Sequence, residues 1–200
     1  MTETSLIVHW LTPDLGRVAT VAKGARRPNS PFRGKLDLFY EADFSFARSR
    51  RSELHTLREV RLRATHPRLR EDLQALQQAA YCMALLEQTT ETETPLPTLF
   101  PLFHRLLVEI TRGTTEARTV LAFEAKLLVE LGQQPDVAEA RLSPGSRQIY
   151  ARLEAEDWPG LERLKLSPVQ ELELRQFLHG FLIYHLGKIP KGRGEALATC

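Results

Sequence analysis

The spacing of apolar residues changes from a period of two to a helical period at His66-Pro67, and this change constrains the fold more than any other feature. Before it, apolar and polar residues alternate along 17–23 and 53–60, which is typical of half-buried strands. After it, apolar residues recur three or four positions apart, which is typical of amphipathic helices. We therefore expect an α+β protein with a β domain over residues 1–64 and an α-helical domain over residues 65–200.

Turn-forming residues divide the first domain into short strand-like segments. These segments cover residues 5–11, 17–23, 36–46 and 53–60. The loop over 24–34 is rich in Gly, Pro, Asn and Ser, which end strands and form turns. Short strands at this spacing predict a small barrel or sandwich.

Four apolar helical stripes mark the second domain. They cover residues 69–86, 96–110, 120–131 and 169–186. Ser167-Pro168 is a typical helix start, and Gly187 is a typical helix end. Residues 89–97 contain only Thr, Glu and Pro apart from Leu96, so we expect a polar linker there.

The charge of the chain is unevenly divided, although the whole chain has a net charge of only +2. Residues 1–62 contain 11 Lys or Arg and 7 Asp or Glu, whereas residues 63–200 contain 16 and 18. Between Leu15 and Lys35 there are six basic residues and no acidic one. Such a segment is a candidate surface for a polyanion, and the alternative is a solvated loop that happens to be basic.

The sequence has no recognisable catalytic constellation. It lacks the glycine motifs that bind phosphates, and no two of its six histidines are four residues apart, as on a metal-binding helix. Its two cysteines, Cys82 and Cys200, argue against a disulfide framework and against a cysteine-rich zinc site. The chain has neither a signal peptide nor an apolar run that could cross a membrane. We therefore expect a cytoplasmic protein without enzymatic activity, cofactor or metal.

The β domain resembles the amino-terminal domain of the RecO family of recombination mediators. The family's E-x-S and T-x-x-x-G-(R/K) patterns match residues 3–5 and 12–17, and its V-A-(K/R)-G-A-R pattern matches residues 21–26. A serine at Ser30 follows, and then residues 32–36 match the start of the next element. Asp37-Leu38-Phe39 departs from the Gln-Pro-Phe that is usual there.

The helical domain also resembles that family. Residues 123–135 are similar to its F-E-x-x-L-L-x-x-L-G-x-x-P helix, and residues 184–187 with 191–193 are similar to its Y-x-L-G and K-S-R segments. Many relatives carry cysteine pairs that form a zinc module, whereas residues 138–145 contain no cysteine. Many relatives also begin with an additional strand.

The resemblance implies an amino-terminal OB-fold β-barrel, which here lacks that first strand unless the start site lies upstream. It also implies a mediator of homologous recombination and DNA repair, associated with the nucleoid. Such proteins bind single- and double-stranded DNA, anneal complementary strands and act with RecR. They thereby load RecA onto DNA coated by single-strand-binding protein. The alternative is an adaptor whose helical domain binds a protein while its barrel binds no DNA.

Ten basic residues are the candidates for contacting DNA phosphates: Arg17, Lys23, Arg26, Arg27, Arg33, Lys35, Arg48, Arg50, Arg51 and Arg58. Aromatic side chains such as Phe44 and Phe46 are candidates for stacking on bases. Because these two lie two residues apart on one strand face, we favour barrel core as their role.

A partner site in the helical domain is implied by the resemblance of its middle helix. We expect Phe123 and Leu127 to form an apolar floor for the acidic C-terminal tail of single-strand-binding protein. Some relatives place an arginine where this chain has Ala122, and Lys126, four residues on, is the candidate replacement. The alternative is that Phe123 and Leu127 are core residues.

Overall fold

The computed structural model describes residues 3–113 and 116–198, and the chain divides into two compact units. Unit 1 comprises Met1–Pro67 and Thr90–Phe100, and unit 2 comprises Arg68–Thr89 and Pro101–Cys200. This division differs from the predicted boundary at residue 64 chiefly because Thr90–Phe100, expected in the helical domain, belongs to unit 1.

Unit 1 is built on a mixed sheet of four strands. The strands are β1 (Leu6–Thr12), β2 (Gly16–Ala22), β3 (Glu41–Ala47) and β4 (Leu54–Ala64), and their order is β1-β2-β4-β3. The pairs β1–β2 and β3–β4 are antiparallel, whereas β2 and β4 pair in parallel over three residues. Within the described residues β1 and β3 do not pair, so the sheet is open. The α+β class is confirmed, and the OB-fold barrel is not.

One face of β2 is buried and contributes to the core of unit 1. Every second residue of this strand is buried, from Gly16 to Ala22, as the sequence pattern predicts. Ala22 packs with Phe32, Leu57 and Val60, and half-buried side chains from β1 and β3 surround them. The loop between β2 and β3 is thereby fixed to the sheet through Phe32.

A β-bulge interrupts the pairing of β3 with β4. Ser45 is paired with Glu59 and Phe46 with Leu57, which leaves Arg58 as the additional residue of β4. Leu57 and Val60 are both buried although they are three residues apart. In a regular strand they would face opposite sides, so the bulge is what brings both into the core.

Residues 90–97, which we call the strap, return to the sheet instead of forming a free linker. The backbone N–H of Glu93 donates to the Arg17 carbonyl oxygen at 2.9 Å, and that of Leu96 donates to the Pro13 carbonyl oxygen at 3.3 Å. Gly16 lies beneath the strap, and a Cβ atom there would be 1.8 Å from the Thr94 carbonyl oxygen. The polar composition of the strap concealed these backbone contacts.

In the part of the chain that the structure describes, eight helices follow the sheet: α1 (Arg68–Glu71), α2 (Leu73–Thr89), α3 (Leu99–Arg112), α4 (Ala117–Glu130), α5 (Pro144–Ala155), α6 (Trp158–Glu162), α7 (Pro168–Leu186) and α8 (Arg193–Ala196). The predicted start of α7 is confirmed, because the Ser167 hydroxyl accepts from the Gln170 N–H in a capping box. Its predicted end is also confirmed, with Gly187 in the left-handed conformation. No described helix is long and apolar enough to span a membrane.

A buried ion pair joins α2, α4 and α8. The Glu124 carboxylate is fully buried and accepts hydrogen bonds from the Arg193 guanidinium at 2.7 and 2.8 Å. The Tyr81 hydroxyl donates to the same carboxylate at 2.5 Å. Burial, together with the neighbouring Glu124 charge, raises the pKa of Tyr81. Glu124 and Arg193, which lie in the segments 123–135 and 191–193 that resemble the RecO family, therefore have a structural role.

Candidate nucleic-acid interface

All ten predicted DNA-binding cations lie in unit 1. Arg17 lies on β2 and Arg58 on β4, whereas Arg48, Arg50 and Arg51 follow β3. The other five lie in or beside the loop between β2 and β3: Lys23, Arg26, Arg27, Arg33 and Lys35.

A series of backbone turns orders the loop between β2 and β3. The N–H groups of Arg27, Ser30, Arg33 and Lys35 each donate to the carbonyl three residues earlier, at 3.0–3.2 Å. Gly24 and Gly34 adopt left-handed conformations with φ of 68° and 71°. The buried Phe32 ring anchors the loop. The sequence therefore folds this segment into a fixed surface.

The cations of this loop face solvent. Lys23, Arg26, Arg27 and Arg33 are exposed, and Lys35 is half-buried. None of the five forms an ion pair with an acidic side chain of the described residues. Their positive charge is therefore available to an anion in solution.

Two of the predicted cations are instead engaged by the strap. The Arg17 guanidinium donates to the Thr90 carbonyl oxygen at 2.5 Å, and Arg48 forms an ion pair with Glu93. The hydrogen bond from Arg48, reinforced by one from His55, holds the pKa of Glu93 below its usual range. The structure thus gives Arg17 and Arg48 contacts within unit 1 that the sequence did not indicate.

His55 is a buried histidine with a structural role. Its Nδ1 accepts from the Ser49 N–H at 3.2 Å, and its Nε2 lies 2.6 Å from a Glu93 carboxylate oxygen. Because Nδ1 accepts, Nε2 is the ring nitrogen that donates to the Glu93 carboxylate. His55 is only 2% exposed, so it fixes the strap rather than contacting a ligand.

A groove of about 520 Å³ opens beside β3 and β4. Phe32, Phe44 and Val60 supply its apolar lining. The charged residues around it are Lys35, Arg58, Arg61, Asp43 and Glu59. Arg61 was missed as a candidate, although the arginines at 58, 61 and 63 formed a visible basic run in β4.

Stacked aromatic rings extend away from this groove. Trp10 stacks on Phe44 at 4.1 Å between ring centroids, with 13° between the ring planes. Phe44 is followed by Phe46 at 5.9 Å, and Phe46 stacks on His55 at 5.0 Å. Both phenylalanines are half-buried, so each contributes to the core and keeps part of its ring accessible.

The residues of the predicted partner site are packed inside unit 2. Phe123 and Leu127 are 0% exposed, in agreement with the core alternative. The Lys126 ammonium donates to the Glu154 and Glu156 carbonyl oxygens at 3.0 and 2.5 Å, at the end of α5. Burial lowers the pKa of Lys126. Docking of a tail at these residues stays a prediction, and it would require Lys126 to exchange these partners.

The described residues offer no evident metal site. Over 3–113 and 116–198, no group of three or more His, Cys, Asp or Glu side chains could hold a metal ion. Cys82 is fully buried, and burial raises the pKa of its thiol. The second cysteine, Cys200, lies outside the described residues.

Fold and surface together define an α+β protein that carries an ordered, cation-rich loop on an open mixed sheet. Two family models match the chain: "Recombination protein O N terminal" over residues 1–66 and "Recombination protein O C terminal" over residues 70–140. The chain belongs to the RecO family.

Three proteins named DNA repair protein RecO are among the relatives. The protein of Rhodopirellula baltica is 35% identical over 133 residues, which are 66% of this chain and 49% of that protein. The protein of Burkholderia pseudomallei is 40% identical, over 65% of this chain and 46% of that protein. The protein of Alkaliphilus metalliredigens is 25% identical, over 94% and 89%. The match thus spans about half the length of the first two relatives and most of the third.

Proposed function

We propose that this protein acts in DNA repair and homologous recombination by binding single- and double-stranded DNA through unit 1. Membership of the RecO family supports the role. The observation that carries it is the ordered loop of residues 23–35, whose five cations have no acidic partner among the described residues. Lysine and arginine side chains that replace condensed counterions on phosphates bind DNA without regard to sequence.

The proposed activity is association rather than catalysis. By analogy with the family, the protein anneals complementary strands and, with RecR, loads RecA onto DNA coated by single-strand-binding protein. RecR and the acidic tail of single-strand-binding protein are its proposed partners, and the nucleoid in the cytoplasm is its proposed location. Phe123, Lys126 and Leu127 remain the proposed tail site.

We also infer that the four described strands of unit 1 belong to an OB-type fold. An OB-fold is a five-stranded Greek-key barrel that is partly open. The order β1-β2-β4-β3, with a parallel β2–β4 pair between two antiparallel pairs, supports this inference. One further strand between the edges of β1 and β3 would complete such a barrel.

The binding of DNA by the loop is tested by replacing Arg26, Arg27, Arg33 and Lys35 with alanine. We expect the affinity for both single-stranded and duplex DNA to fall more than about tenfold, because four phosphate contacts are lost. The matched control replaces four exposed cations of unit 2, Arg105, Arg141, Arg163 and Lys165, and removes the same charge. An equal loss in both variants would contradict a local DNA surface on the loop.

An exposed apolar face on α7 favours a second candidate function, that of a protein adaptor. Val169, Leu172 and Tyr184 are 65%, 55% and 83% exposed. An adaptor of this kind would bind its partner through unit 2 and would not need the cations of unit 1. Retention on immobilised heparin or single-stranded DNA at graded salt separates the two functions, because only the DNA-binding protein would be retained.

A further inference from the structure

The strap occupies two cations of unit 1 that an anion from solution could otherwise bind. The Arg17 guanidinium donates to the Thr90 carbonyl oxygen at 2.5 Å, and Arg48 pairs with the Glu93 carboxylate. No carboxylate of the described residues pairs with Arg17, and its Nε is buried without a hydrogen-bond partner. Because a buried charge is costly unless it is paired, a neutral carbonyl oxygen is a poorer partner for Arg17 than an anion.

Arg48 is also the first member of a basic run between β3 and β4. Arg48, Arg50 and Arg51 are all exposed. Arg50 and Arg51 form no ion pair within residues 3–113 and 116–198, whereas Arg48 is neutralised by Glu93. The strap thus removes one charge from a surface that is otherwise suited to a polyanion.

The strap is held mainly by contacts that water or another ligand can replace. Residues 90–95 are all exposed or half-buried, and Leu96 is the first buried residue after them. The Arg48 side chain is 64% exposed, so its ion pair with Glu93 is screened by solvent. Glu93 also has a left-handed φ of 52°, and release of the strap would relieve this strain. A segment with so few apolar contacts opens at a low free energy while Leu96 keeps its end attached.

We propose that the strap is an autoinhibitory element, which covers Arg17 and Arg48 until the phosphates of a bound DNA strand displace residues 90–94. This inference rests on the proposed function and adds to it a means of regulation. Phosphate oxygens accept charge-assisted hydrogen bonds from guanidinium groups, as the strap carboxylate does. DNA has the further advantage that each phosphate contact releases condensed counterions, which the Glu93 carboxylate does not.

The sign of the expected effect distinguishes this arrangement from a purely structural strap. If DNA must displace the strap, part of the binding free energy is spent on displacement, and the measured affinity is lower than the contacts alone would give. Weakening the strap should therefore tighten DNA binding. A strap that only supports the sheet would have the opposite effect, since its loss would damage the DNA surface.

The test is Glu93→Gln, which removes the charge that pairs with Arg48. We expect the affinity for a thymidylate oligonucleotide to rise at least about threefold, the effect of losing one partly exposed ion pair. Glu91→Gln is the matched control, because it removes the same charge from an exposed position of the strap that forms no ion pair within the described residues. At about 0.15 M salt its effect should be clearly smaller, since distant exposed charges are screened.

Arg48→Ala shows whether the gain comes from the released cation. Combined with Arg48→Ala, Glu93→Gln should lose most of its effect on affinity, because the cation that it frees is absent. The full gain in the Arg48→Ala background would overturn the proposal. So would an equal rise in Glu93→Gln and Glu91→Gln, or an unchanged or lower affinity in a folded Glu93→Gln, and each of these results would leave the proposed function intact. Failure of the unmodified chain to bind DNA would overturn the proposed function itself, and the autoinhibition with it.

Amide hydrogen exchange of the unmodified chain provides a second test that needs no variant. The Glu93 N–H donates to the Arg17 carbonyl oxygen, so its exchange should become faster when the oligonucleotide is added. The Leu96 N–H, which donates to the Pro13 carbonyl oxygen beside the buried end of the strap, is the internal control and should be unchanged. Slower or unchanged exchange at Glu93 in the DNA complex would overturn the proposal, even if the Glu93→Gln variant does not fold.

Discussion

Two residues hold the strap to the sheet through different kinds of contact. Gly16 permits a close approach, because its φ of 66° and its missing side chain leave room for the Thr94 carbonyl group. Glu93 provides polar contacts to Arg48 and His55, and it adopts a left-handed φ of 52°. Such strain in a residue other than glycine persists only where surrounding contacts impose it.

Gly16→Ala should destabilise the protein by more than about 2 kcal/mol, since it adds a steric clash to the strain of a left-handed alanine. Gly34→Ala is the matched control, because Gly34 has a similar φ of 71° and nothing within 4 Å of an added Cβ. Urea unfolding of both variants measures the difference, which reports the contact with the strap. Equal losses of unfolding free energy would mean that the strap does not lie against Gly16 in solution.

Glu93 should make the stability of unit 1 depend on pH. Because its pKa is lowered in the folded state, its contribution is present above the unfolded glutamate pKa of about 4.3 and is lost as the pH falls through the lower folded value. Glu93→Gln should therefore be less stable at neutral pH and lose less stability on acidification. Urea unfolding at several pH values from about 7 down to about 3 tests this, with the exposed Glu91→Gln as control. Identical pH profiles for Glu93→Gln and the unmodified chain would contradict the pairing.

At the scale of elements, the sequence pattern predicted what depends on local periodicity. The four strands, the long helices and the start of α7 follow from the spacing of apolar residues and from Ser167-Pro168. The strap could not be predicted, because its contacts come from residues 13–17 and from Arg48 and His55, which are distant in sequence. The helix α5 was also missed, since its buried side chains, such as Tyr150 and Leu153, form only a short stripe.

In the candidate site, too, the sequence predicted the features that depend on local pattern and missed those that depend on distant residues. The loop cations could be predicted because a local run of charge reveals them. The groove depends on a bulge and on the cross-strand pairing of Phe44 with Val60, which are set by partners distant in sequence. The engagement of Arg17 and Arg48 by the strap was hidden for the same reason.

Lys126 of α4 contacts the carbonyl groups at the end of α5, and we expect this contact to stabilise the packing of the two helices. Lys126→Met removes a cation from the carbonyls of Glu154 and Glu156, and it should lower the unfolding free energy by about 1–3 kcal/mol. Lys126→Arg keeps the charge and should lose less. If the proposed tail site is correct, the methionine variant also loses binding of a tail peptide while its DNA affinity is unchanged. Intact peptide binding in a folded methionine variant would place the tail site elsewhere.

In the whole molecule, the candidate binding features are divided between the two units. Unit 1 carries the cations, the groove and the strap, whereas unit 2 carries a buried Tyr81–Glu124–Arg193 cluster and an exposed apolar face on α7. Unit 1, with 12 Lys or Arg and 9 Asp or Glu, has a net charge of +3, and unit 2, with 15 and 16, has a net charge of −1, which agrees with this distribution. DNA affinity should therefore respond to charge changes in unit 1 and be insensitive to the same changes in unit 2.

The dependence of DNA affinity on salt shows whether the loop of residues 23–35 binds phosphates. The logarithm of the association constant for single-stranded DNA is measured against the logarithm of salt concentration, for the unmodified chain and for the variant with alanine at Arg26, Arg27, Arg33 and Lys35. Because each phosphate contact contributes a slope of about −0.7 on single strands, the slope should become shallower by up to about 3. An unchanged slope in a folded variant would contradict the assignment of this loop as the phosphate-binding surface.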